Sequence, residues 1–266
     1  MRSLAHALPE VAAVLGDLST AVEDGSIDST DDFADACRRR WDDALVARVD
    51  VTVPGWQKMA SFADGKTLWH INIAMVALYR LDEYLAAPPE VRRLMEWTIL
   101  LHDIGKEPAH DRRDHRHAFR SAADAAPVLP GLGFPTGAAY ATDYARWRDV
   151  VYAAWTDDPE EGEPVPDNAY LPEITGGINR MFEADGARLL TAIALHQSVT
   201  VVADWPSLAP LTEAQENEYI TPGVAELQRP LMLADSGGWN LFDPATLGSM
   251  YEETRAVFAR IAAQRT

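Results

Sequence analysis

The residues best suited to chemistry stand in LMEWTILLHDIGKE, residues 94–107, where an apolar stretch of helical periodicity runs into adjacent His102 and Asp103, then Gly105 and Lys106. Neighbouring helical positions point about 100° apart, so an imidazole and a carboxylate at such a pair converge on one ion only at a helix edge, with other helices completing the shell. Gly105 reads as the left-handed residue that stops this helix. On its own the pair is a weak signal, because a single histidine on an apolar face is more often a satisfied core residue. Two further segments strengthen it. KTLWHINIAMVALYRL, residues 66–81, puts His70 near the start of an amphipathic helix, at an upstream distance that suits an antiparallel neighbour. LQRPLMLADSGGW, residues 227–239, puts Asp235 at the end of an apolar helical run, a costly place for an unpaired carboxylate. Three helices thereby offer an imidazole, an imidazole with a carboxylate, and a carboxylate.

Imidazole and carboxylate donors without thiolate favour Fe, Mn, Co, Ni or Mg over a structural zinc cage. Cys37 is the only cysteine, which excludes an intrachain disulfide and a thiolate-rich site. A divalent ion among such ligands polarises a phosphoryl oxygen and makes hydroxide accessible near neutral pH. Lys106, one turn past His102, is placed to meet an anionic substrate. Arg120 is a candidate for a bidentate grip on phosphate. The wider group Arg112, Arg113, Arg116 and Arg120 also reads as a solvated basic face pairing with Asp111, Asp114 and Asp124.

The ordered set His70, LLHDIGK and LMLAD resembles the HD-domain superfamily over roughly residues 65–240. The order is similar to that in the HD portion of bacterial tRNA nucleotidyltransferases, although the nucleotidyltransferase signature itself is missing. The resemblance implies a metal held by His70, His102, Asp103 and Asp235, with Asp103 as the bridging or water-orienting carboxylate. It often implies a second ion held by further histidines. HRHAFRSA, residues 115–122, looks like the segment in which a histidine opens the next helix, and LLTAIALHQSVT, residues 189–200, like the one in which a histidine closes a helix before the last aspartate. His117 and His196 are therefore the second-site candidates, with His115 the rival of His117. The site accordingly takes one or two divalent ions.

The elements that position these residues are expected to be helical throughout. Helical periodicity covers the chain near residues 5–22, 30–48, 67–86, 89–104, 115–127, 139–156, 172–184, 187–203, 212–220, 223–236 and 246–263, and no alternating strands or hairpin dipeptides interrupt it. Ser29, Thr30 or Asp31 caps the second helix, and Thr212 with Gln215 forms a capping-box pattern. The fold class is all-α: an HD-domain helical bundle over 61–266, an N-terminal helical extension over 1–60 suited to packing, pocket covering or homodimer formation, and an insertion at about 128–187. Residues 156–168, TDDPEEGEPVPDN, read as a solvated surface loop or a lid. Eight tryptophans, among them Trp56, Trp69, Trp147, Trp155, Trp205 and Trp239, serve the core or form a stacking wall for a nucleobase.

With 23 Lys plus Arg against 41 Asp plus Glu, the formal charge is −18, a field that repels a phosphate backbone. Long nucleic acid and anionic membranes are thus excluded as expected partners. A small anionic substrate remains, since local cations and a bound metal dominate inside a pocket. No apolar run approaches the ~18 residues of a membrane span, and with one cysteine and no signal peptide a cytoplasmic location is expected. The leading functional expectation is a metal-dependent phosphohydrolase acting on a small phosphate ester such as a nucleotide. The alternatives are an HD-domain di-iron oxygenase cleaving a C–C or C–P bond, which uses the same six ligands, and a noncatalytic ligand-sensing protein.

Overall fold

Eleven of the thirteen residues in the segment around His70 are buried, a pattern that only a helix surrounded by other helices shows. The computed structural model describes residues 1–61, 65–106, 117–153, 168–199 and 210–265, and these are all-α. In chain order the helices are α1 (Leu4–Ala7), α2 (Pro9–Glu23), α3 (Thr30–Arg40), α4 (Asp43–Thr52), α5 (Trp56–Ala60), α6 (Lys66–Leu78), α7 (Asp82–Leu85) and α8 (Pro89–Leu101). They continue as α9 (His117–Ala125), α10 (Tyr140–Ala153), α11 (Leu171–Met181), α12 (Ala184–Leu195), α13 (Glu213–Tyr219), α14 (Pro222–Asn240) and α15 (Pro244–Ala263). No strand occurs among the described residues, only an isolated bridge between Thr136 and Phe182. No helix there is long and apolar enough to cross a membrane.

Helix α14 is the hub. Its most extensive contact is with α6, and α8, α12 and α15 pack around it. Close approach of α6 and α14 is written into Gly237, where an added Cβ would lie 2.4 Å from the Ala77 Cβ. Helix α12 then packs on α8, α9 and α11, so the C-terminal ends of α8 and α12 and the N-terminal end of α9 come to one place. The N-terminal helices lie against this assembly, α2, α3 and α5 on α6 and α1 on α8. The indole N–H of Trp97 donates to the Arg2 carbonyl at 2.9 Å and ties the start of the chain to α8.

Several expected helices are shorter or longer than their periodicity implies. The stretch 30–48 is two helices, because Asp42 leaves the helical region and caps α4 by accepting from the Leu45 N–H at 2.7 Å. The stretch 5–22 restarts at Pro9, the first position of α2, where a missing N–H costs nothing. The stretch 67–86 stops at Leu78 before the short α7, and 187–203 stops at Leu195. The stretch 223–236 instead runs on to Asn240, so Asp235 sits inside α14 and not at its end. Ser29 caps α3, and Thr212 with Gln215 forms the expected capping box on α13. Residues 107–116 and 154–167, which include His110, His115, Arg112, Arg113, Arg116, Trp155 and most of the acidic stretch, lie outside the described residues, as does Trp205.

Candidate metal centre

Helix ends leave backbone carbonyls without intrahelical partners, and two histidines use that fact in the same way. His102 is the C-cap of α8 and its Nδ1–H donates to the Ile99 carbonyl at 2.7 Å. His196 is the C-cap of α12 and its Nδ1–H donates to the Ile193 carbonyl, also at 2.7 Å. Each bond fixes the ring through Nδ1–H and turns Nε2 inward, the nitrogen that ligates when the imidazole is neutral. His117 opens α9 and brings its Nε2 to 3.1 Å from that of His196. The two nitrogens share a hydrogen bond at this distance, and two imidazoles on one ion at about 2 Å each would also stand roughly 3 Å apart.

Two sets of donors result. His70, His102 and Asp235 have ligand atoms within 4.8 Å of one another, and so do Asp103, His117 and His196. Asp103 faces both. Its Oδ2 lies 3.7 Å from His70 Nε2 and 3.6 Å from His102 Nε2, while its Oδ1 lies 3.3 Å from His117 Nε2. Asp235 Oδ1 accepts from His70 Nε2 at 2.8 Å and is 3.6 Å from His102 Nε2. The six candidate ligands thus form two adjoining sets linked through Asp103, reached from α6, α8, α9, α12 and α14.

The charges in the cluster answer one another. Burial opposes a charge on His102, but the carboxylates of Asp103 and Asp235 outweigh it and push the imidazole up to about 9. Burial likewise opposes ionisation of Asp103, yet Lys106 and the surrounding histidines hold it far below the ordinary carboxylate range. Asp235 is also held well below that range, against burial, by its contacts with His102 and His70. Burial, reinforced by the nearby His102, lowers His196 to about 4 and keeps it neutral.

A divalent cation fits this donor set. His102 Nε2 and Asp103 Oδ1 are buried and make no hydrogen bond, and such atoms carry a large desolvation cost unless something binds them. Four imidazoles and two carboxylates with no thiolate are the ligands of Fe, Mn, Co or Ni, and Asp103 has one oxygen for each donor set.

Around the ligands, Lys106 brings its Nζ to 3.1 Å from Asp103 Oδ2. Arg120, expected to grip phosphate, is anchored through one of its nitrogens. Its side chain is buried and its Nε donates to the Gly105 carbonyl at 3.0 Å, tying α9 to the turn after His102 and Asp103. Gly105 does not take a left-handed conformation. It is glycine because α9 passes over it: an added Cβ would lie 2.5 Å from the Arg120 carbonyl carbon and from the Ser121 nitrogen. The Gly105 N–H also donates to Ser121 Oγ at 3.0 Å.

Among the tryptophans, Trp41, Trp56, Trp97 and Trp147 are core residues. Trp239 is 44% exposed and stacks on His70, a role that reading the sequence for ligands alone does not give it. The signal was present as spacing, since Trp239 follows Asp235 by one helical turn. No protein-family model matches the chain, and neither does a curated protein or a solved structure.

Proposed function

We propose that the chain is a metal-dependent phosphohydrolase of the HD-domain type that acts on a small phosphate ester, nucleotides being the first candidates. The observation that carries this reading is Asp103, whose two oxygens face two separate histidine sets. In it, His70, His102 and Asp235 would hold one divalent ion and His117 and His196 another, with Asp103 available to both. Bound ions would supply Lewis acidity toward a phosphoryl oxygen and an acidified water as nucleophile.

The protein's own groups do the rest. The carbonyl bonds of His102 and His196 hold the rings in place, so no reorganisation is needed when substrate arrives. Lys106 sets a positive charge beside Asp103 and binds the anionic group of the substrate, which the −18 charge of the whole chain would otherwise repel. The test is phosphate release by manganese-, cobalt-, nickel- or magnesium-loaded protein, abolished by His102→Ala or Asp103→Ala. A fully metallated protein that is inert toward a broad panel of phosphomonoesters and cyclic nucleotides counts against the reading.

The second reading, a di-iron oxygenase, is favoured by one observation: the His117–His196 pair raises the imidazoles to four, a donor set suited to iron. Substrate-dependent oxygen consumption by iron-loaded protein selects this reading, and undiminished turnover without oxygen excludes it.

A further inference from the structure

His102 and His196 are held by bonds from Nδ1–H to a carbonyl, but His70 is not. Its Nδ1 is buried and has no hydrogen-bond partner. We infer that Gly238 and Trp239 are the positioning residues of His70, and that packing does for this ring what a backbone carbonyl does for the other two.

The ring lies between these residues. The His70 imidazole stacks on the indole of Trp239 with centroids 4.2 Å apart and planes 26° apart. At Gly238 an added Cβ would lie 2.5 Å from His70 Cε1 and 2.6 Å from Nδ1, so only glycine lets the ring sit flat against α14. Asp235, one turn before Trp239, meets the front of the same ring at 2.8 Å. A single turn of α14 therefore supplies both the partner of Nε2 and the wall behind the imidazole.

Trp239 is itself fixed. The edge of Trp69 meets it with centroids 5.8 Å apart, and the ammonium groups of Lys66 and Lys106 lie 5.3 Å and 5.7 Å from its ring centre. Within the two-ion reading, on which the inference rests, the direct ring contact of Trp239 is with His70, a residue of the His70, His102 and Asp235 position, while its link to Asp103 runs only through Lys106. The Asp103, His117 and His196 position makes no contact with it through its own rings among the described residues.

The experiment is a titration of metal-stripped full-length protein with manganese(II), reading ions per chain and the affinity of each, for wild type, Trp239→Ala, Trp239→Phe and Gly238→Ala. The expected result is two ions for wild type, with one site weakened about 10- to 100-fold in Trp239→Ala and Gly238→Ala, the range found when the support of a metal ligand is removed. Trp239→Phe, which keeps a ring to stack on, restores most of that loss. Should Gly238→Ala fail to fold, the half-exposed Trp239 pair decides the matter. Unchanged affinity at both sites in Trp239→Ala, or equal weakening of both, overturns the inference while leaving the two-ion reading intact. A wild-type protein that binds no manganese overturns both.

Discussion

The Nε2 atoms of His117 and His196 face each other at 3.1 Å although 79 residues separate them in the chain. The contact depends on two helix ends meeting, the first residue of α9 and the C-cap of α12. It places a pair of nitrogen donors beside Asp103 Oδ1, 3.3 Å from His117.

Removing one member of this pair should remove one ion. His196→Ala or His117→Ala is expected to bring metal content down from two ions per chain to one, with the His70, His102 and Asp235 position retained. Elemental analysis of reconstituted protein checks this; loss of both ions from either variant would show that the two sets do not bind independently.

Asp103→Asn should behave differently, because both oxygens of this carboxylate face histidines. Both positions are expected to weaken together, with a fall in turnover of more than about 100-fold, beyond what loss of a mere supporting group costs. Parallel titrations of Asp103→Asn and His196→Ala separate a shared ligand from an unshared one.

Gly105→Ala tests the crossing of α9 over the turn after Asp103. A Cβ 2.5 Å from two backbone atoms of Arg120 and Ser121 cannot be absorbed by a side-chain rotation. A loss of about 1–3 kcal/mol or more is expected from the urea midpoint, the usual range for overpacking. Ser121→Ala, which strands the buried Gly105 N–H, should cost about 1–3 kcal/mol. Wild-type midpoints in both variants would contradict the close approach.

The pH dependence of stability should reverse when metal is added. In stripped protein, His102 is raised from 6.5 to about 9 by its carboxylate neighbours despite burial. Its contribution is fully present below 6.5 and is lost as pH rises through about 9. Asp103 and Asp235 are held low, so theirs is present above the ordinary carboxylate range and lost in acid. Ion binding needs the neutral imidazole and displaces that proton. The rise in Tm on adding manganese should therefore be larger at about pH 8 than at about pH 6; a rise that shrinks with pH would argue against His102 as a ligand.

Much of this arrangement could be read from the residues themselves. Helical periodicity gave the all-α class, and the order of His70 near a helix start, His102 with Asp103 at the end of an apolar run and Asp235 in a later one, with the family resemblance it carries, picked out four residues that the fold brings together. What the sequence hid is what packing decides. Gly105 has the look of a helix stop, yet it is required by a helix that passes over it from residues 120 and 121. The Gly237–Gly238 pair resembles the end of a helix, yet α14 continues through it because Ala77 and His70 of α6 occupy the space of the missing side chains. Arg120 also makes a contact that the sequence does not show, its Nε donating to the Gly105 carbonyl.

The most direct test of the metal centre is the ion content of full-length protein, reconstituted with manganese or iron and freed of excess, measured beside Asp103→Ala and His102→Ala. Two divalent ions per wild-type chain, with marked loss in both variants, is the expected result. A wild-type chain that retains no ion, and whose melting temperature does not move with metal or chelator, would contradict it.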